Sequence, residues 1–206
     1  MRAALVAELG RPPEPGEAPD PVRDEGEALI EVLAVPLNPI DINVGAGRFY
    51  GGHPPLPYIP GCEGVGRVLE ADTLEPGTLV WAHGAGMGVR RNGALAELLS
   101  VPEDVVVPVP AGVDRALAGA VGIAGVAGWL SVAVRAPVRE GETVLVLGAT
   151  GTVGLVALQA ARILGAGRVV ALVAWLRTIT SASLKTPASC ITVLAFGGII
   201  SSPGQP

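Results

Sequence analysis

Three glycines, Gly148, Gly151 and Gly154, follow directly on the apolar run Thr143 to Leu147. An uninterrupted run of β-branched residues and leucine is expected of a strand buried on both faces of a parallel sheet. A glycine at the first position permits a tight turn off that strand. At the second it lets backbone approach a pyrophosphate, and at the third it lets the following helix pack closely. The start of that helix offers unpaired N–H groups and a partial positive charge to phosphate oxygens. The chemistry indicated is dinucleotide binding by Gly148, Ala149, Thr150, Gly151, Thr152, Val153 and Gly154. The GxxGxxG spacing departs from the commonest fingerprint, and glycine is abundant at 29 residues. The assignment therefore rests on the strand before the loop and the helix after it. A residue at the end of the second strand should read the ribose, an acid for NAD or a base for NADP. After Val170 and Ala171 the chain offers Leu172, Val173, Ala174 and Trp175, none of which can do so; Arg177 is a conceivable phosphate partner.

Other reactive side chains are few. His53 and His83 have no metal-spaced partner and read as surface or loop residues. Cys62 and Cys190 are too few and too far apart for a disulfide scaffold or a four-cysteine zinc lobe. Neither Ser100 nor Ser131 sits in a nucleophile elbow, so hydrolase chemistry is unsupported. The net charge of -5, without a basic stripe, disfavours nucleic acid as a partner. No signal-peptide pattern opens the chain, and Cys190 to Ile200 is too short to span a bilayer, so a cytoplasmic protein without membrane contact is expected. Half the residues are apolar but only 3% are aromatic, so the core must be built from Ala, Val, Leu and Ile.

The elements that would position these residues fall into two textures. Residues 1–112 carry short apolar runs punctuated by Gly and Pro, at Ala3–Ala7, Ala28–Val35, Gly64–Glu70, Thr78–Ala82, Ala94–Val101 and Val105–Val109. That pattern predicts an all-β barrel or sandwich. Arg11–Pro21 and Gly51–Pro60 are expected as loops, because proline removes ladder donors. Residues 113–174 change character. Asp114 can cap a helix through Ala116 to Val121, interrupted later by Gly125 and Gly128. A turn at Glu140 and Gly141 leads into the strand, glycine loop, helix to about Leu164 and second strand Arg168–Val173, one βαβ unit. Residues 175–206 break the pattern again. They hold five of the seven serines and no acid, which predicts a segment foreign to the fold.

Taken together, several segments resemble the medium-chain dehydrogenase/reductase superfamily, and within it the zinc-less quinone oxidoreductase (zeta-crystallin-like) branch. They are Leu37 to Asp41, Pro57 to Gly66, Gly93 to Leu98, Gly122 to Trp129 and the Gly148 to Gly154 loop, in the family's order and spacing over about residues 1–173. The resemblance implies an α/β chain with a GroES-like β-barrel domain followed by a Rossmann (doubly wound) domain, here incomplete, and an active site in the cleft between them. Zinc-dependent members carry Cys at the position of Asn38 and a His-Glu pair at Cys62 and Glu63. A catalytic zinc needs three N, S or O protein ligands. No zinc is therefore expected, and Cys62 with Glu63 reads as a buried small thiol beside a capping carboxylate.

The implied reaction is hydride transfer from NADPH, with NADH as the alternative, to a quinone or conjugated carbonyl. By the same resemblance Asn38 and Asp41 lie at the catalytic centre, where Asn38 could hydrogen-bond a substrate carbonyl. Its other reading is a turn residue before Pro39. Tyr50 and Tyr58 are candidate pocket walls, or alternatively loop tyrosines packed on the barrel. Relatives carry a Thr near the nicotinamide where this chain has Ala127. The family implies a homodimer. Two alternatives stand beside the reductase: a catalytically inactive fragment or binding module with half a nucleotide site, and a zinc-dependent alcohol dehydrogenase relative.

Overall fold

The structure is a computed structural model that describes residues 1–172, 190–194 and 199–200. It divides into two compact units, Met1–Ile123 and Ala124–Pro206. The change of texture at Asp114 thus precedes the structural division, because the helix that Asp114 begins packs on the sheet of the first unit.

The first unit is built on five antiparallel strands. Their spatial order is β6 (Leu98–Pro102), β3 (Glu27–Ala34), β4 (Glu63–Glu70), β5 (Leu79–His83) and β7 (Val106–Pro108). Ile30, Val68, Val80, Leu99 and Val101 meet in its core, with Ala28, Ala82 and Ala94 filling the narrower gaps. Small apolar residues do the work that aromatics do elsewhere, as the composition requires. Register shifts at Leu29/Ile30 and Val32/Ala34 bend β3 against β4. The strand expected over Ala94–Val101 begins only at Leu98. Before it, Ala94 and Leu95 donate their N–H groups to Gly61 and Pro60, tying this stretch to the loop ahead of β4.

The proline-rich stretch is a correction to the loop expectation. β1 (Arg2–Leu5) pairs antiparallel with β2 (Glu14–Glu17), with Ala4 opposite Pro15. The Ala4 N–H points the other way, to the Leu95 carbonyl at 2.9 Å. Ala4 and Pro15 therefore form a non-hydrogen-bonded pair, and Pro15 owes β1 no donor.

α1 (Pro39–Gly45) starts with Pro39 at its first turn, where a missing N–H costs nothing. α2 (Arg115–Ala120) is capped as expected: the Asp114 carboxylate accepts from Ala116 and Leu117 N–H at 2.8 and 3.1 Å. α3 (Ile123–Leu130) follows after a break at Gly122 and runs into a π turn at Ser131–Arg135.

In the second unit β8 (Thr143–Leu147), α4 (Thr152–Ile163) and β9 (Arg168–Leu172) form the expected βαβ unit. The strands are parallel, with Thr143 opposite Arg168 and Leu147 opposite Leu172. Val144 and Val146 face Ala157, Ala160 and Ala161 of α4, while Leu145 and Leu147 pack with Val170 and Leu172 on the other face. β10 (Cys190–Leu194) pairs in parallel with the free edge of β8, and β11 (Ile199–Ile200) pairs antiparallel with β10. An open strand edge leaves a row of N–H and C=O groups unpaired, and an apolar, β-branched run such as Cys190 to Leu194 can satisfy them. Val173, the last residue expected in the second strand, and the connection that follows lie outside the described residues.

The first unit can be tested at two points. Asp114→Ala removes the side-chain acceptor of two helix-start N–H groups, so it should cost about 1 kcal/mol, roughly 3 °C in a thermal melt. An unchanged melting temperature would deny the cap any energetic role. Glu27 accepts from Ser100 Oγ at 2.7 Å and from Arg91 at 3.1 Å, joining β3 to β6 and the loop before it. Burial pushes its carboxyl up, but the Ser100 and Arg91 hydrogen bonds outweigh that and hold it below the ordinary glutamate value. A depressed folded pKa contributes stability that is present above the unfolded value and lost as pH falls through the folded one. Urea melts of wild type should therefore lose stability on going from pH 6 to pH 3 by more than Glu27→Gln does. Parallel losses in the two proteins would contradict this coupling.

Candidate functional site

In the first unit the buried carboxyl of Glu63, 1% exposed, gathers four segments. Its Oε1 accepts from Asn38 Nδ2 at 2.7 Å. Its Oε2 accepts from Trp81 Nε1 at 2.6 Å and from the Ile123 backbone N–H at 2.9 Å. One side chain on β4 thereby fixes the entrance to α1, the middle of β5 and the first residue of α3. Gly122 has to be glycine here, because a Cβ would stand 1.9 Å from Glu63 Oε2. The reading of Glu63 as a capping carboxylate describes its bond to Ile123. Sequence reasoning missed the rest of its role; the signal was a carboxyl directly before the uncharged stretch Gly64 to Gly66.

Asp41 forms the second node. Its Oδ2 accepts the Asn38 backbone N–H at 2.7 Å and its Oδ1 accepts that of Cys62 at 2.8 Å. Both oxygens are thus spent on holding the α1 entrance against the start of β4. The Cys62 thiol is buried, and burial, followed by the charge and hydrogen bond of Asp41, drives it far above the ordinary cysteine range. Burial and Asp41 thus favour the protonated thiol, whereas the thiolate is the reactive form. His83 Nδ1 lies 2.7 Å from the Cys62 carbonyl oxygen.

The two tyrosines part company. Tyr58 is 1% exposed and packs with Val6 and Val44, so it belongs to the core and not to a pocket wall. Among the described residues its hydroxyl has no hydrogen-bond partner, and burial first, then Cys62 and Asp41, raises its pKa. Tyr50 is 98% exposed, its ring tilted 44° against that of Phe49 with centroids 4.6 Å apart. Asn38, Asp41, Cys62 and Glu63 are brought together, and Tyr50 stands apart from them. Of the histidines, His53 has Nδ1 2.7 Å from the Pro54 carbonyl oxygen. Among the described residues no three of His, Cys, Asp and Glu are grouped as a metal would require.

In the second unit the glycine loop leaves the end of β8 as expected. Gly148 takes φ +68°, a left-handed turn that favours glycine. The N–H groups of Gly148 and Ala149 donate to the Leu172 carbonyl, closing the loop base onto β9. Gly154 is sterically obligatory, since its Cβ would stand 2.4 Å from the Gly148 carbonyl oxygen. At Gly151 the fold makes no such demand: a Cβ would sit in ordinary contact, 3.5 Å from the same oxygen. Thr150, Gly151 and Thr152 are exposed, and Gly151 caps α4 without any side-chain acceptor for its first N–H groups. The loop is thus open to a ligand where the pyrophosphate reading needs it open. Leu172, first of the apolar residues that cannot read a ribose, ends β9; Val173, Ala174, Trp175 and Arg177 lie outside the described residues. Ala127 is exposed on α3, and its carbonyl accepts the Ser131 hydroxyl at 2.7 Å.

A family model for the alcohol dehydrogenase GroES-like domain matches residues 24–111. The chain is 33% identical to a quinone oxidoreductase of Lama guanicoe over 169 residues, 79% of this chain and 49% of that protein. It is 32% identical to a chloroplastic NADPH-dependent alkenal/one oxidoreductase of Arabidopsis thaliana over 159 residues, 71% of this chain and 40% of that one. Among solved structures, the quinone oxidoreductase of Thermus thermophilus, determined also with NADPH, superposes with a TM-score of 0.70 at 35% identity. That match covers 83% of this chain and 52% of the other. The chain spans about half the length of the relatives it matches. By these matches it belongs to the medium-chain dehydrogenase/reductase superfamily, in its quinone oxidoreductase branch, with an alcohol dehydrogenase GroES-like domain at residues 24–111.

Proposed function

We propose that this chain carries the cofactor loop and the substrate-side domain of an NAD(P)H-dependent reductase of quinones or conjugated carbonyls that works without a metal. The observation that carries the reading is the Gly148–Gly154 loop, closed by sterics at Gly154 and open at Gly151. NADPH is the preferred cofactor, supported by the Arabidopsis relative and the Thermus structure, whose descriptions name it. When bound, the reduced nicotinamide supplies the hydride. The backbone N–H groups at the start of α4 would hold the pyrophosphate, with Thr150 and Thr152 flanking it. A cytoplasmic homodimer belongs to the same reading.

In the first unit Asn38 is the residue assigned to the substrate carbonyl. Its amide has two N–H donors, and only one is given to Glu63. Asp41, with both oxygens on backbone N–H groups, acts as a positioning residue that sets the Asn38 backbone. Tyr50 remains the candidate wall residue, since its ring is exposed beside Phe49. Metal independence is supported by the donor set. Asn38 is a poor zinc ligand, the Cys62 thiol resists ionisation, and both Glu63 oxygens already accept N–H donors. Quinones and enones suit such a site, because their reduced forms delocalise charge without a Lewis acid.

A second reading, nucleotide binding without turnover, is favoured by the apolar end of β9 at Leu172, which offers the ribose no side-chain partner. Titration of the chain with NADPH and NADH, followed by nicotinamide fluorescence and then a quinone reduction assay, separates the two. Saturable binding with turnover supports the reductase, binding without turnover supports the module, and no binding by folded protein overturns both.

Two predictions test the parts. Gly151→Ala should keep the melting temperature and weaken nucleotide binding at least tenfold, because its Cβ has room in the fold but occupies the phosphate approach. Gly154→Ala should instead lower the melting temperature; equal effects of the two variants on stability would contradict the division of roles. Peptide mapping after alkylation at pH 8 should find Cys62 unmodified in the native chain and modified in denaturant. Stoichiometric zinc in protein purified from zinc-supplemented medium would refute the metal-free reading.

A further inference from the structure

A groove of about 500 Å³ lies in the first unit between α1 and the Gly10–Pro13 segment. Its apolar lining includes Val6, Leu37, Ile42 and Leu95, and two of these, Leu37 and Ile42, are each 64% exposed. Large aliphatic side chains left that open, around a concave surface of ligand size, are unusual for a surface without an occupant. The segment forming the opposite wall is held in place: the Gly10 N–H donates to the Gly45 carbonyl at 2.8 Å. The groove is therefore built into the fold and does not depend on a side chain swinging aside.

Charge decides what fits. Arg11 and Arg48 both line the groove, and both are exposed. Arg11 meets Glu8 only at 3.8 Å, between side chains that are 73% and 74% exposed, a pairing worth little. Among the described residues no carboxylate stands within ion-pair distance of Arg48. The one acid in the lining is Asp41, whose two oxygens are turned to the Asn38 and Cys62 N–H groups. An apolar trough with two poorly neutralised guanidinium groups matches a ligand with an aliphatic body and an anionic end. Guanidinium is the cation whose geometry suits a carboxylate.

We propose that this groove binds an amphipathic carboxylate, its aliphatic body along Leu37, Ile42 and Leu95 and its charged end on Arg11 and Arg48. The proposal does not depend on the reductase reading, since neither arginine nor the aliphatic wall takes part in it. Decanoate is the probe, titrated into the full chain by calorimetry, with decanol and acetate in parallel. Saturable decanoate binding is expected, at least tenfold tighter than either comparison compound. The double variant Arg11→Ala/Arg48→Ala should lose that preference over decanol, and Ala46→Phe, which adds bulk from the lining, should abolish binding. Circular dichroism melts establish that each variant is folded. Equal affinity for decanol, or undiminished binding by the arginine variant, would overturn the charge assignment. Undiminished binding by folded Ala46→Phe would overturn the location, and absence of decanoate binding would overturn the proposal as a whole.

Discussion

The carboxyl of Glu63 ties three distant segments of the first unit to β4. It is buried, and a buried polar group without partners costs roughly 1–3 kcal/mol or more. Here that cost is offset by three N–H donors from three different places: the Asn38 amide, the Trp81 indole and the backbone of Ile123. The constraint runs both ways. Without Glu63 an indole N–H, an amide and the start of α3 would lose their acceptor together, and Gly122 would face an empty space shaped for an oxygen. The positions of the α1 entrance, of β5 and of the α3 start are consequences of one carboxyl finding all its partners. Asp41 extends the same logic by tying the Asn38 backbone to that of Cys62.

This arrangement bears on the chemistry. In the first unit these groups satisfy one another, an amide on a carboxyl and a buried thiol beside a carboxylate. These polar side chains serve one another as structural partners, and the amide of Asn38 retains one donor beyond them. The second unit is organised by contact distance instead of charge. The approach of α4 to the end of β8 is so close at Gly154 that no side chain fits, whereas Gly151 is left uncovered. The sheet around β8 is completed on one side by β9 and on the other by β10, each parallel and in register with it.

Much of this was legible in the residues because it depends on local rules. The run Thr143 to Leu147 was a strand by composition, Asp114 a cap by its side chain, and the glycine loop a turn into a helix by spacing. The loop assignment of Arg11 to Pro21 failed for a tertiary reason: which way the Ala4 N–H points is set by Leu95, far along the chain. Tyr58 and Tyr50 looked equivalent as tyrosines in Pro- and Gly-rich loops. Only packing against Val6 and Val44 separated the buried one from the exposed one. The tail looked foreign by composition; in the structure Cys190 to Leu194 pairs in parallel with β8.

The sequence by itself determined the two textures and the glycine loop, because periodicity, capping and turn chemistry act over a few residues; the family rested on the resemblance of its segments. Tertiary structure alone decided that Glu63 would take three donors and that Asp41 would spend both oxygens on backbone. It also decided that Leu37 and Ile42 would border an open groove beside two arginines. Those outcomes depend on which groups arrive next to one another from distant parts of the chain. A hydrogen bond or a cavity wall exists only once both sides are in place.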